Sequence, residues 1–435
     1  MDGAQGLALG TFVFVVVLLL ADWTHLTIAA LLGALLAIVF NLMTLEEAVG
    51  FVGQSHGTLA LFFGVMVIVR AFEPTRVFEF LAIKMVSLTR GRGSYLLLGI
   101  VGLTALISAF LPNATTVILL GPMIPPLALI LGVPPVPLLV LMVLTANSAG
   151  LLTIVGDPVN YIVGERLGLT FLRYLRVLSG SGVVTVAVLC ALLPGLFRPI
   201  WQMQLQNLDQ LPRVTIEHPR ALAFGCLIVV FMLMLFVIGD RFPVPISPAT
   251  AALLGALLAM MLSHHSQIES VPHILRDVDW STLIFFMGFF AIVGSLEKTG
   301  VTAQLADLLA ASLGSNLKVA GMVLLLLTGL VSSVAPNIPL VVAMVPLLQD
   351  YTFSAGLAVP GEPLPTSVLP LFYAMAIGAT VGGNGTLAGA SANIVGAGIA
   401  ESHGFRLTFR QFLRYGAPVA IAQLGVGCLY VALVY

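Results

Sequence analysis

Ten runs of 15 to 20 almost uninterrupted apolar residues follow one another along this chain, near 7–21, 25–43, 58–72, 136–155, 181–197, 221–238, 246–263, 281–296, 366–382 and 416–435. Each is long enough to cross, or nearly cross, about 30 Å of hydrocarbon. Lipid offers no water to the backbone, so a crossing segment must bond its own N–H and C=O groups, and a run of this length does so as a helix. An all-α polytopic membrane protein is therefore predicted. Composition agrees: 59% of the residues are hydrophobic and 9% charged, where a soluble domain carries about 25% charge. That excludes an ordinary soluble enzyme and a disordered chain. A net charge of −1 leaves no electrostatic footprint for nucleic acid. The first run lacks a basic flank and an A-x-A-like site, so no cleavable leader is expected.

The chain also repeats itself. Ala29–Ala37 and Ala251–Ala259 both read AALLGALLA, at an offset of 222. Thr58, Phe62, Gly64, Glu73 and Thr75 recur as Thr282, Phe286, Gly288, Glu297 and Thr299, and Pro112-Asn113 recurs as Pro336-Asn337, at an offset of 224. Gly156 and Asn160 recur as Gly389 and Asn393 at 233, and Leu169-Thr170-Phe171 as Leu407-Thr408-Phe409 at 238. A colinear series marks a duplication. Each half holds five runs plus one apolar stretch too long for a single span, 94–131 or 318–352, broken at its centre by polar residues and proline. If that stretch enters and leaves on one face, five crossings are left and the second copy is inverted. Inverted repeats of this kind place a substrate site at their interface near the midplane. The chain divides into a first inverted repeat at 1–197, a linker at 198–220 and a second inverted repeat at 221–435.

Loops after the odd-numbered crossings carry twelve Lys and Arg, and the opposite loops six: Arg166, Arg173, Arg176, Arg241, Lys298 and Lys318. The richer face is predicted to be cytoplasmic. Both termini then lie outside, and the 198–220 linker inside. Four short amphipathic stretches, 76–88, 171–178, 301–313 and 407–415, are expected to lie in the interface.

Four polar breaks carry the functional signal. The first is Pro112-Asn113-Ala114-Thr115-Thr116, and the second Pro336-Asn337. The third runs through Asn147, Ser148, Gly150, Gly156, Asp157 and Asn160; the fourth through Gly382, Gly383, Asn384, Gly385, Thr386, Gly389, Ser391 and Asn393. Non-helical backbone at membrane depth survives only when buried in protein or lining a wet cavity. Half-helix N-termini then present N–H groups and positive dipole ends to a solute. Kinked helices with Asn, Ser and Thr bonding the freed backbone are the structural alternative for any single break. Asp157, an intramembrane carboxylate, is the candidate coupling residue, with capping of a half-helix as its structural alternative. Glu73 and Glu297 end their helices and read as structural. Cys190, Cys226 and Cys428 stand alone in apolar runs and read as small hydrophobes. No metal-ligand or catalytic spacing occurs, and Gly382–Thr386 lacks the lysine of a phosphate loop. Ser391 has no His or Lys neighbour to activate it. No enzyme activity, cofactor or metal is therefore expected.

With those residues in place, the chain resembles the ion transporter superfamily, most of all its arsenite-efflux-permease and P-protein-like branch. That group is related to D-type sodium/proton antiporters and divalent-anion/sodium symporters. The resemblance spans the chain and is carried by Gly156-Asp157-Pro158-Val159-Asn160 and by the run Gly382–Asn393. It implies a scaffold domain and a transport domain, re-entrant hairpins at 94–131 and 318–352, elevator-type alternating access and a homodimer in the inner membrane. Many relatives carry Asp-Asn at the hairpin tips where this chain has Pro112-Asn113 and Pro336-Asn337. The missing acids weigh against a sodium/proton antiporter. Proton-coupled export of neutral arsenite or antimonite is the leading expectation, and transport of a dicarboxylate or inorganic oxyanion the alternative. A docked cytoplasmic ATPase is left open.

Overall fold

The computed structural model describes residues 2–21 and 23–434; the last predicted run, 416–435, ends on a residue outside that set. The described residues form no β-strand, only an isolated bridge between Arg92 and Gln204. The first half comprises α1 (Gly3–Leu20), α2 (Leu26–Val39), α3 (Leu45–Gln54), α4 (His56–Phe72), α5 (Val77–Ser87), α6 (Gly93–Ser108), α7 (Asn113–Leu120), α8 (Ile124–Ile130), α9 (Pro135–Gly150), α10 (Pro158–Arg166), α11 (Phe171–Val177) and α12 (Ser179–Leu196). After the short α13 (Arg198–Trp201) come α14 (Pro219–Ile238), α15 (Pro248–His265), α16 (Val271–Arg276), α17 (Trp280–Lys298), α18 (Val301–Leu313), α19 (Leu317–Ser332), α20 (Asn337–Ser354), α21 (Leu369–Gly382), α22 (Ser391–Ser402) and α23 (Phe409–Val434). Among the described residues, eight helical stretches are long and apolar enough to cross a membrane. The protein is an integral, multi-pass membrane protein.

Burial separates helices whose composition looks alike. α9 and α21 are apolar on every side, and from Leu138 to Gly150 and from Leu371 to Gly382 every residue is buried. In α1 only Ala8, Thr11, Val15 and Leu18 are buried, one stripe at helical spacing. The rest of α1 is left for lipid, which accepts an apolar surface that water would not.

Packing sorts the helices into two groups. In one, α4 lies on α15, α2 on α17, and α1 and α14 flank them. In the other, α6 and α7 pack with α9, α19 packs with α21, and α12 and α23 lie against each other. Small residues set the closest crossings of the first group, as is usual where lipid removes the hydrophobic drive between helices. A Cβ on Gly64 would lie 2.7 Å from the Ala252 backbone, and one on Gly288 would lie 2.8 Å from that of Ala30. Gly33 receives Ile292, and Gly255 receives Ile68. The AALLGALLA repeat is thus the contact strip of α2 and α15.

The structure departs from the sequence reading at three places. The run expected at 136–155 ends at Gly150, and the chain turns non-helical before resuming as α10. The stretch 407–415 is no separate interfacial helix; α23 is continuous from Phe409 to Val434. The short α3 was not foreseen; a capping box between Thr44 and Glu47 starts it. The 198–220 linker is strapped to the first half: the Gly93 N–H donates to Met203 O at 2.9 Å, Leu205 N–H to Gly91 O at 2.8 Å, and Gln206 N–H to Leu131 O at 3.2 Å.

Alanine at Gly64 or Gly288 is expected to destabilise the protein by about 1–3 kcal/mol, the usual cost of overpacking. The measurement is the Tm of purified protein in detergent. Gly425→Ala, where nothing lies within 4 Å, should leave Tm unchanged or raised. Equal Tm values at all three positions would refute the close crossings.

Candidate functional site

Four helices begin inside the protein: α7, α10, α20 and α22. Their first residues converge on one narrow cavity of ≈ 40 Å³, lined by Pro112, Asn113, Ala114 and Thr115, by Asp157 and Pro158, by Asn337 and Ile338, and by Ala390, Ser391 and Ala392. Asn147 from α9, Met66 from α4, and Asp279 and Thr282 from the start of α17 complete the wall. Among the described residues no Lys or Arg lines it, and its acids are Asp157 and Asp279. Asp279 is occupied in capping α17, accepting from the Thr282 N–H at 3.0 Å and its hydroxyl at 2.6 Å.

The breaks are held by side chains that repeat at the offsets read from the sequence. Asn160 Nδ2 donates to Gly150 O at 2.7 Å and Thr153 O at 3.4 Å. Its counterpart Asn393 Nδ2 donates to Gly383 O and Thr386 O, each at 2.8 Å. Thr153 Oγ1 donates to Ala109 O and accepts from the Val155 N–H; Thr386 Oγ1 donates to Ser333 O and accepts from the Ala388 N–H. Ser108 Oγ donates to Ala146 O, and Ser332 Oγ to Ala379 O. A carbonyl left bare in a low-dielectric interior costs roughly 2–7 kcal/mol, so these side chains make the breaks tolerable. Gly156 and Gly389 let the broken strands approach: a Cβ there would lie 2.6 Å from Ser108 O and 2.8 Å from Ser332 O.

A second set of polar groups lies behind the cavity. Asn147 Nδ2 donates to Asn393 Oδ1 at 2.8 Å and Asn384 Oδ1 at 3.1 Å, joining the two halves. Asn384 Nδ2 donates to Ser148 Oγ and Gln423 Oε1, and Gln423 Nε2 donates to Ser148 Oγ and Thr185 O. Of the residues singled out in the sequence, Pro112, Asn113, Thr115, Asn147, Asp157, Asn337 and Ser391 reach the cavity. Ser148, Asn160, Asn384, Thr386 and Asn393 belong to the supporting bonds. Thr116 is buried without a hydrogen-bond partner for its hydroxyl. Gly150 underlies Asn113 and Asp157, Gly382 abuts Gly329 O, Gly383 faces Ala390, and Gly385 faces Ser333. Pro336 is the N-cap residue of α20, as Pro112 is of α7.

Asp157 caps α10: its Oδ1 accepts from the Val159 N–H at 2.9 Å, while Oδ2 accepts from Asn113 Nδ2 at 2.8 Å. It thereby closes the first hairpin tip onto the first broken helix. Three residues were missed in the sequence. Gln423 stood alone within an apolar run, which was itself a signal. Asp279 and Thr282 form an ordinary cap motif, and nothing local shows that it borders the cavity. A second cleft, ≈ 420 Å³, is lined by Gln54, Ser55, Glu165, Arg166 and Glu297 among others. The two hollows share α10, α17 and α20: Ile162 and Val342 of the second lie four residues beyond Pro158 and Ile338 of the first, about 6 Å along a helix.

The comparisons agree with this architecture. A family model described as a citrate transporter matches residues 16–368. An uncharacterised transporter of Synechocystis sp. is 54% identical over 433 residues, covering 98% of this chain and 96% of its own. The P protein of Mus musculus is 28% identical over 96% of this chain and 59% of its own length. In fold, the crystal structure of the Alcanivorax borkumensis YdaH transporter superposes with a TM-score of 0.60 at 13% identity, over 89% of this chain and 86% of the other. With a family model spanning most of its length and a full-length relative at more than half identity, the chain belongs to the CitMHS citrate transporter family of the ion transporter superfamily.

Proposed function

We propose that the protein is a secondary active transporter that carries a small anion, a carboxylate or an inorganic oxyanion, through the cavity between its two halves. One observation carries the reading: four half-helix N-termini meet around a hollow that holds neither Lys nor Arg. Helix starts present unpaired N–H groups and positive partial charge, which is the field an anion needs. The family's description supports a carboxylate. The substrate-binding groups in this proposal are Thr115, Asn147, Asn337 and Ser391, with Asp157, held by Asn113, as the site of proton coupling. An anion and the ionised Asp157 oppose each other in one small cavity of low dielectric, so protonation of Asp157 favours anion entry.

The two packed groups of helices take the roles of scaffold (α1, α2, α4, α14, α15, α17) and moving unit, with alternating access of the elevator type between the two hollows. The two halves are read as inverted repeats, and both termini as outside. Export of neutral arsenite or antimonite is the second reading. The amides and hydroxyls of the wall, without a cationic side chain, favour it, because a trihydroxide needs hydrogen bonds and no counter-charge.

Uptake into proteoliposomes under an imposed proton gradient separates the readings. Accumulation of citrate, succinate, phosphate or sulfate supports the first; accumulation of arsenite or antimonite alone transfers the assignment to the second; none of these substrates moving refutes both. Asn337→Ala should lower transport at least about tenfold, the worth of a hydrogen bond to a charged ligand, with protein yield and Tm retained, whereas Asn113→Ala, which strips buried Asp157 of its amide partner, should lower transport and Tm together. Asp157→Asn should abolish accumulation driven by the proton gradient while preserving exchange of substrate across the membrane. Wild-type accumulation in that variant would remove Asp157 from the coupling step.

A further inference from the structure

The two halves build the same receptor for a carboxylate, and only one half fills it. In the first half the carboxylate is Asp157, held by the hairpin-tip amide of Asn113 and by the second N–H of α10, that of Val159. At the repeat offsets of 224 and 233 the corresponding residues are Asn337, Ala392 and, in place of Asp157, Ala390. The backbone frame is the same. Asp157 has φ −144 and ψ 135, and Ala390 has φ −147 and ψ 147. The hairpin tips agree as well, with Pro112 at φ −52 and ψ 143 and Pro336 at φ −54 and ψ 135. A Cβ on Gly150 would lie 3.1 Å from Asp157 Cβ, and one on Gly383 would lie 3.3 Å from Ala390 Cβ.

The second receptor is intact but empty of a carboxylate. No side chain caps α22. Asn337 is 6% exposed, lines the cavity, and has no side-chain hydrogen bond of the kind that ties Asn113 to Asp157. That leaves the Asn337 amide at the cavity wall able to donate to a solute, and the twelve-residue helix starting beside it adds N–H groups of its first turn.

We infer that Asn337 and the start of α22 form the seat for one carboxylate or oxyanion group of the transported anion, and that Ala390 is the specificity-determining residue that keeps this seat open. Asp157 shows inside the same molecule how such a group sits: one oxygen on the tip amide, the other on the helix N–H. The occupied first seat limits the substrate to one strongly held anionic group on this wall. This inference rests on the anion-transport reading above and assigns its subsite.

The test fills the empty seat. Ala390→Asp should reproduce the Asp157 arrangement in the second half, so its Tm in detergent without ligand should equal or exceed that of the unsubstituted protein. Its affinity for whichever of citrate, succinate, phosphate and sulfate stabilises the unsubstituted protein, read as the ligand-induced rise in Tm, should fall at least about tenfold. Stabilisation by citrate or succinate alone identifies a carboxylate as the occupant, and by phosphate or sulfate alone an inorganic oxyanion. If Ala390→Asp does not fold, Asn337→Asp, which turns the amide donor into a second acceptor at the same volume, should show the same loss. An anion bound by either folded variant with unchanged affinity overturns the inference and leaves the anion-transport reading standing. Failure of all four anions to stabilise or be transported by the unsubstituted protein overturns both.

Discussion

Everything in this protein depends on how it satisfies backbone groups that are cut loose from helices in the middle of a low-dielectric layer. A helix interrupted at Gly150 or Gly382 exposes carbonyls that neither lipid nor, at that depth, water can serve. Asn160 and Asn393 span their breaks and bond two such carbonyls each; Thr153 and Thr386 tie the breaks to the hairpin tips. These bonds fix where α10 and α22 begin. The convergence of four helix starts, and hence the electrostatics of the cavity, follows from them.

The same frame of hydrogen bonds occurs twice in the chain, and the positions at which the two sets differ carry the chemistry. Where the frame is structural, the residues match: Asn160 with Asn393, Thr153 with Thr386, Ser108 with Ser332, Gly156 with Gly389. At the cavity the tip residues Asn113 and Asn337 also match, while other positions at the cavity and at the contact between halves diverge. Asp157 corresponds to Ala390, Asn147 to Thr380, and Thr185 to Gln423. A symmetric pocket treats both of its walls alike. The differences let one wall hold a carboxylate of its own while the other leaves its donors free, and they give the buried amides of Asn147, Asn384 and Gln423 partners across the molecule.

The spans were legible because lipid makes a single demand that local sequence answers: enough consecutive apolar residues to cross. The breaks were legible because Pro, Gly and Asn interrupt helices by their own covalent chemistry. The roles of the amides were not. Asn113 and Asn160 look equivalent on paper, yet Asn113 borders the cavity and Asn160 turns inward to its own break. Direction of a side chain depends on the packing of helices distant in sequence. For the same reason 407–415 read as a separate amphipathic helix. Nothing local shows that Phe412 is fully buried against neighbours within a continuous α23.

Periodicity, composition and the Pro, Gly and Asn breaks determined a polytopic helical membrane protein with interrupted helices, since each of those properties is set within a window of some twenty residues. Only the tertiary structure decided that the four interruptions meet in one hollow, that Asp157 is already held by Asn113 and a helix start, and that Asn337 is left with nothing to hold. Those facts turn on distances of about 3 Å between groups more than forty residues apart, as in the Asn113–Asp157 contact at 2.8 Å. Such distances are fixed by helix packing, which no local pattern encodes.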